Sequence, residues 1–200
     1  MSKVFDRITV TRRQAARAEI DTAIELLFDD GAPVAIEVLT WAAVEMMRGL
    51  AEHRQLQTFQ ATIEERVKPE ALKRWREILK GHYNFFKHGD RDPERISEDF
   101  MPEATTYPLF GACVDYQTIF GRSTFAMMSY MSWFMARHPA ILVPEASDLA
   151  ADFAAHLDHP EEKPFRQSLK RVAENCKDAK RRPWLVKEML AGTLGDRFEP

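Results

Sequence analysis

Between Thr11 and Arg137 the apolar residues of this chain return every three or four positions, and each series stops at a glycine, a proline or a cluster of acids. That period belongs to a helix and not to the alternation of a strand. Ile20, Ala23, Ile24, Leu27 and Phe28 form one such series, with Thr11 placed to cap its start and Asp29-Asp30-Gly31 to end it. Pro33 then stands where a first-turn proline is tolerated. Residues 34–52 continue with Ile36, Leu39, Ala43, Met46, Met47 and Leu50. The short link between the two series predicts an antiparallel helical hairpin.

Further helices follow from the same spacing. Residues 57–67 read as a shorter helical or irregular piece. Lys68-Pro69-Glu70 opens a third long helix that runs to His88, with Leu72, Trp75, Leu79, Tyr83 and Phe86 as its core stripe. Residues 89–104 hold two prolines, a glycine and mostly acidic side chains, the composition of a surface connection. Two strongly apolar helices come next, over residues 106–120 and 123–137. Gly121-Arg122-Ser123 separates them, so neither reaches the roughly 20 apolar residues that span a bilayer. Residues 146–157, 164–180 and 183–191 read as three more short helices. The expectation is an all-α, single-domain bundle of about six to eight helices. Residues 1–145 form its core, and residues 146–200 form a helical extension packed on it.

Composition supports a packed core and excludes several functional classes. The 200 residues are 45% hydrophobic and carry a formal net charge of −3, too small to name a partner. Cys113 and Cys176 lie far apart and outside any metal-ligand spacing, as reduced cytosolic thiols do. The first residues lack the apolar run of a signal peptide. A cytoplasmic protein without a membrane partner is therefore expected. No glycine-rich phosphate loop, nucleophile elbow or dinucleotide fingerprint is present, and no cofactor is expected.

The densest chemistry lies in Tyr83-Asn84-Phe85-Phe86-Lys87-His88-Gly89-Asp90-Arg91-Asp92-Pro93. On a helix turning about 100° per residue, the apolar stripe falls within about 60° of Leu72, whereas Asn84 and His88 fall near 120° and 160°. They share a face other than the core face, bordered by Lys73, Glu77, Lys80, Gly81 and Lys87. The segment reads equally as a cap. Lys87 and His88 would complement the helix dipole, Gly89 would turn left-handed, and Asp90, Arg91 and Asp92 would pair across a subunit contact. As metal ligands, His82 and His88 occupy different faces, and Asp90, Asp92 and Glu94 lack a calcium-loop spacing, so no metal is expected.

Asn84-x-x-x-His88 resembles the end of the Arg-Asn-x-x-x-His signature of HEPN domains, all-α bundles that commonly dimerise and in many members cleave RNA. In this chain Tyr83 stands where the family has arginine. The resemblance implies His88 as general acid/base, Asn84 orienting it, and a phosphorane-stabilising cation supplied by Arg91, Lys87 or Arg48. Arg48 and His53 match the bare Arg-x-x-x-x-His spacing a second time, about 140° apart on a helix. The residues from Thr11 to Ala16, the stretch from Phe28 to Ile36 and the Asn84–Pro93 string also resemble a family of uncharacterised bacterial helical proteins across residues 11–143, which implies a shared domain and no assigned activity. The function expected is a HEPN-like protein that binds RNA, or a ribonuclease with a degenerate motif. The alternative is a non-catalytic homodimer in which residues 84–93 form a cap or subunit contact.

Two further segments bear on partners. Residues 163–187 carry nine basic side chains against Glu174 and Asp178, with Trp184 available for base stacking. The same segment reads as a solvated face lying on an acidic body. Met127, Met128, Met131 and Met135, among Phe125, Tyr130, Trp133 and Phe134, leave a helix apolar nearly all round, which belongs in a core or at a homodimer interface.

Overall fold

The computed structural model describes residues 8–88, 94 and 96–138. Six α-helices make it up: α1 Arg12–Phe28, α2 Pro33–His53, α3 Phe59–Glu64, α4 Pro69–Lys87, α5 Thr106–Phe120 and α6 Phe125–Arg137, with a 3₁₀ turn over Pro102–Thr105 ahead of α5. The fold is all-α, and no strand occurs among the described residues. The expected helices at 146–157, 164–180 and 183–191, and the basic segment at 163–187, lie outside them.

Local chemistry sets most helix ends. Thr11 and Gln14 close a reciprocal capping box, with the Gln14 amide donating to Thr11 Oγ1 at 3.2 Å and the Thr11 amide to Gln14 Oε1 at 2.9 Å. Thr58 and Thr124 cap α3 and α6 through Ala61 and Met127. Pro33 and Pro69 occupy first-turn positions. Gly121, at φ 70°, ends α5 in the left-handed region where glycine is unstrained. α1 stops at Asp29-Asp30-Gly31, as the sequence predicts. Asp30, not Gly31, takes the positive φ (52°), and Gly31 is needed for space, because a Cβ there would lie 2.8 Å from Leu26 Cδ2.

The core lies among α1, α2, α5 and α6. Ala16, Ile20, Ala23, Ile24 and Phe28 from α1 meet Trp41, Ala43 and Met47 from α2, Leu109, Cys113 and Tyr116 from α5, and Met127, Tyr130 and Phe134 from α6, all at or near zero exposure. α6 is therefore a core helix of its own chain. Its apolar circumference is explained on one side by this burial, while Met128, Met131 and Met135 are half-buried. Asp21 of α1 accepts the Thr124 hydroxyl at 2.5 Å and so ties the α6 cap to α1.

α4 departs from expectation. Of its predicted stripe only Tyr83 is buried; Leu72, Trp75, Leu79 and Phe86 are half-buried. The helix rests against α2 through its C-terminal half, where Tyr83 stacks on Trp41 with ring centroids 6.3 Å apart. Its N-terminal half is joined to α3 through Arg76 and Glu64. A stripe at helical spacing thus overstated the burial, because a partly covered helix carries the same pattern as a covered one. Among the described residues no helix is long and apolar enough to cross a membrane.

Candidate functional site

The α2–α4 seam is built around Glu45. Trp41 and Glu45 lie one turn apart on α2, and Tyr83 and Lys87 one turn apart on α4, so side chains of each pair lie side by side. Glu45 Oε2 accepts the Tyr83 hydroxyl at 3.1 Å and Lys87 Nζ at 3.3 Å, while Oε1 stands 3.6 Å from Lys80 Nζ. Lys80 and Lys87 also lie over the Trp41 and Tyr83 rings, each 5.1 Å from the centroid. Three donors thus converge on one carboxylate.

Charge in the seam is uneven. Partial burial alone would push the Glu45 carboxyl up, but hydrogen bonds from Lys87 and Tyr83 and the charges of Lys87 and Lys80 outweigh it and hold Glu45 below the usual carboxylate range. Lys80 is shifted down, first by burial and then by the neighbouring Arg48 guanidinium, against the pull of Glu45 and Glu64. Lys87 is shifted up by Tyr83 and Glu45. Around Glu45, three cations (Arg48, Lys80 and Lys87) face one carboxylate. Toward α3 the seam opens into a groove of about 820 Å³, where Arg76 pairs with Glu64 and Glu52 and Glu65 add negative charge. Arg48 and Lys80 line this groove as well, and of the three cations around Glu45 only Lys87 stands outside its lining.

Asn84 is exposed and His88 half-buried, both off the core side of α4 as the helical geometry predicted. Their side chains make no hydrogen bond or ion pair among the described residues. His88 ends the helix, its amide donating to the Asn84 carbonyl at 3.1 Å. Arg48 and His53 are both exposed on α2. Arg48 joins the seam through Lys80. Nothing in the described structure brings His53 to the seam. Arg91, Asp90 and Asp92 lie outside the described residues, as does the Gly89 turn. Tyr83 fills the position of the signature arginine as a core residue, buried to 3% exposure and bonded to Glu45, so this position holds no cation.

Glu45 organises this region, with Lys80 beside it, and its part was not anticipated. The usable signal was Glu45 itself, an acid one turn from Trp41 and three residues before Arg48, at the margin of an apolar face. His82, considered as a ligand, instead meets Ser97 Oγ at 2.8 Å and packs on Phe100. Among the described residues no three His, Cys, Asp or Glu side chains cluster as metal ligands would.

The chain matches no family model, no curated protein and no solved structure.

Proposed function

We propose that this chain is a HEPN-like helical protein that contacts single-stranded RNA through the C-terminal half of α4 and the adjoining Arg48 of α2. The observation that carries this reading is one face of α4 on which half-buried Lys80 and exposed Asn84 and Lys87 fall within about 60° of one another, beside exposed Arg48. Cations at the spacing of successive helical turns track a phosphate backbone, and an exposed amide between them can donate to a phosphate or a base edge. Glu45 fixes the two lysines in place without neutralising all three cations. Such a partner fits a cytoplasmic protein with a buried free thiol at Cys113. His88 borders this face, and cleavage, if the protein performs it, would use this imidazole as the general acid/base.

Fluorescence anisotropy with a labelled single-stranded RNA tests the contact. The Arg48→Ala/Lys87→Ala variant, altered at two exposed positions, is expected to bind at least about tenfold more weakly than the parent. Equal affinity, or no binding by the parent, would reject it. Cleavage is read separately, and a parent that cuts RNA no faster than His88→Ala has no nuclease chemistry at this site.

One observation favours the second reading, a non-catalytic homodimer. Ile78 is 61% exposed on a third face of α4. Gly81 lies one turn further along, with nothing within 4 Å of the Cβ it lacks, and half-buried Phe85 follows. An apolar, glycine-containing ridge suits close packing against the same ridge of a second copy. If so, Ile78→Lys converts a dimer to a monomer in sedimentation equilibrium. A parent that is monomeric at micromolar concentration excludes this surface as a stable interface.

A further inference from the structure

The half-burial of α4 leaves a cavity of about 480 Å³ between α3, α4 and α5, within the usual range of small-molecule sites. Its wall is almost wholly apolar. Trp75 and Leu79 of α4 form one side, and Phe59 of α3 and Phe110 of α5 another, their rings edge to face at 5.7 Å. Phe59 packs closely over Gly111 of α5, where a Cβ would stand 3.0 Å from Phe59 Cδ1.

Polar side chains interrupt the wall at a few points, Gln60 and Asp115 among them. Asp115 lines the cavity and is 3% exposed. Its Oδ1 accepts the Phe59 amide at 2.6 Å, and Oδ2 has no hydrogen-bond partner among the described residues. Trp75 lines it too, and because its Nε1–H is sealed from solvent, the ring is the surface a ligand meets. A buried acid in an aromatic cavity is the recognition element for a flat apolar ring that carries a cationic nitrogen.

We propose that this cavity binds a small arylalkylamine, its ring packed between Trp75 and Phe59 and its ammonium on Asp115. The carboxylate supplies charge complementarity where water is largely excluded, so an amine gains and an acid is repelled. The aromatic walls add cation–π attraction. The site does not depend on the RNA contact.

Isothermal titration calorimetry on the full chain, with three probes sharing one ring, tests this. The probes are tyramine, 4-ethylphenol and 3-(4-hydroxyphenyl)propionate. Tyramine is expected to bind at least about tenfold more tightly than the acid, with 4-ethylphenol between them. Asp115→Asn should abolish the preference for the amine and leave 4-ethylphenol within about twofold. Ile63→Trp, which places bulk in the cavity wall, should abolish binding of all three while circular dichroism stays that of the parent. Failure of tyramine to bind, equal affinity for amine and acid, or an unchanged preference in Asp115→Asn each overturns the proposal. If Asp115→Asn does not fold, the amine–acid comparison on the parent and the Ile63→Trp result decide.

Discussion

Trp41→Ala is expected to lower the stability of this protein by about 3–5 kcal/mol, the range for deleting a fully buried tryptophan. Trp41 is 1% exposed and does more than fill space. Its indole N–H donates to Glu37 Oε1 at 3.0 Å, and Glu37 Oε2 accepts the Thr105 hydroxyl at 2.6 Å. Glu37 is itself only 4% exposed, so burial pushes its carboxyl up while Thr105 and Trp41 pull it down. Losing the indole leaves a buried acid with one donor fewer. The same ring carries Tyr83 on one contact and Lys80 on another, so it is the piece of core on which α4 rests. Trp41→Phe keeps a ring and loses the N–H, and should cost less than the alanine change. Chemical denaturation measures both losses, and hydrogen exchange should show α4 amides loosening before those of α1 or α5. A loss below about 1 kcal/mol for Trp41→Ala would contradict this placement.

Asp115 is expected to make the protein less stable as pH rises. Burial raises its carboxyl from 3.8 to about 6, with the Phe59 amide opposing the shift. The unfolded chain releases this proton near pH 3.8, whereas the folded chain holds it until about pH 6. Between those values the folded state binds more protons, so stability from this group is fully present below pH 3.8 and is lost as pH rises through about 6. At about 1.36 kcal/mol per unit, the loss approaches about 3 kcal/mol. Glu45 and Glu64 act in the opposite direction, because their carboxyls are held low in the fold. The parent must therefore be compared with Asp115→Asn. The variant should gain stability relative to the parent between pH 4 and pH 7, and nowhere else. Parallel stability curves across that range would mean that Asp115 titrates normally.

The helices were legible because each is written in local chemistry. Thr11 with Gln14, Pro33, Pro69 and Gly121 mark ends that depend on a few neighbouring residues, and the apolar period marks the faces. Asn84 and His88 could be placed off the core face for the same reason. What could not be read was long-range. Glu45 reaches Tyr83 and Lys87 across about forty positions of chain, and Asp115 reaches Phe59 across more than fifty. Neither pairing has a spacing signature. The sparse burial of α4 was hidden too, since periodicity reports which residues share a face and not whether anything covers it. Gly31 shows the limit at a single residue. It was expected, with Asp29 and Asp30, to stop α1; in the structure it lies close to Leu26 while Asp30 takes the left-handed turn.

RNA contact by the α2–α4 seam is tested most directly by the salt dependence of affinity. Each phosphate neutralised on a single strand contributes about −0.7 to the slope of log K against log salt. For the parent, a labelled single-stranded RNA titrated across a range of salt concentrations should give a clear negative slope. Arg48→Ala/Lys87→Ala should reduce its magnitude by about 1.4, the contribution of two phosphate contacts. An affinity that falls in the variant with the slope unchanged, or a parent with no salt dependence, would contradict the claim that these cations meet the phosphate backbone.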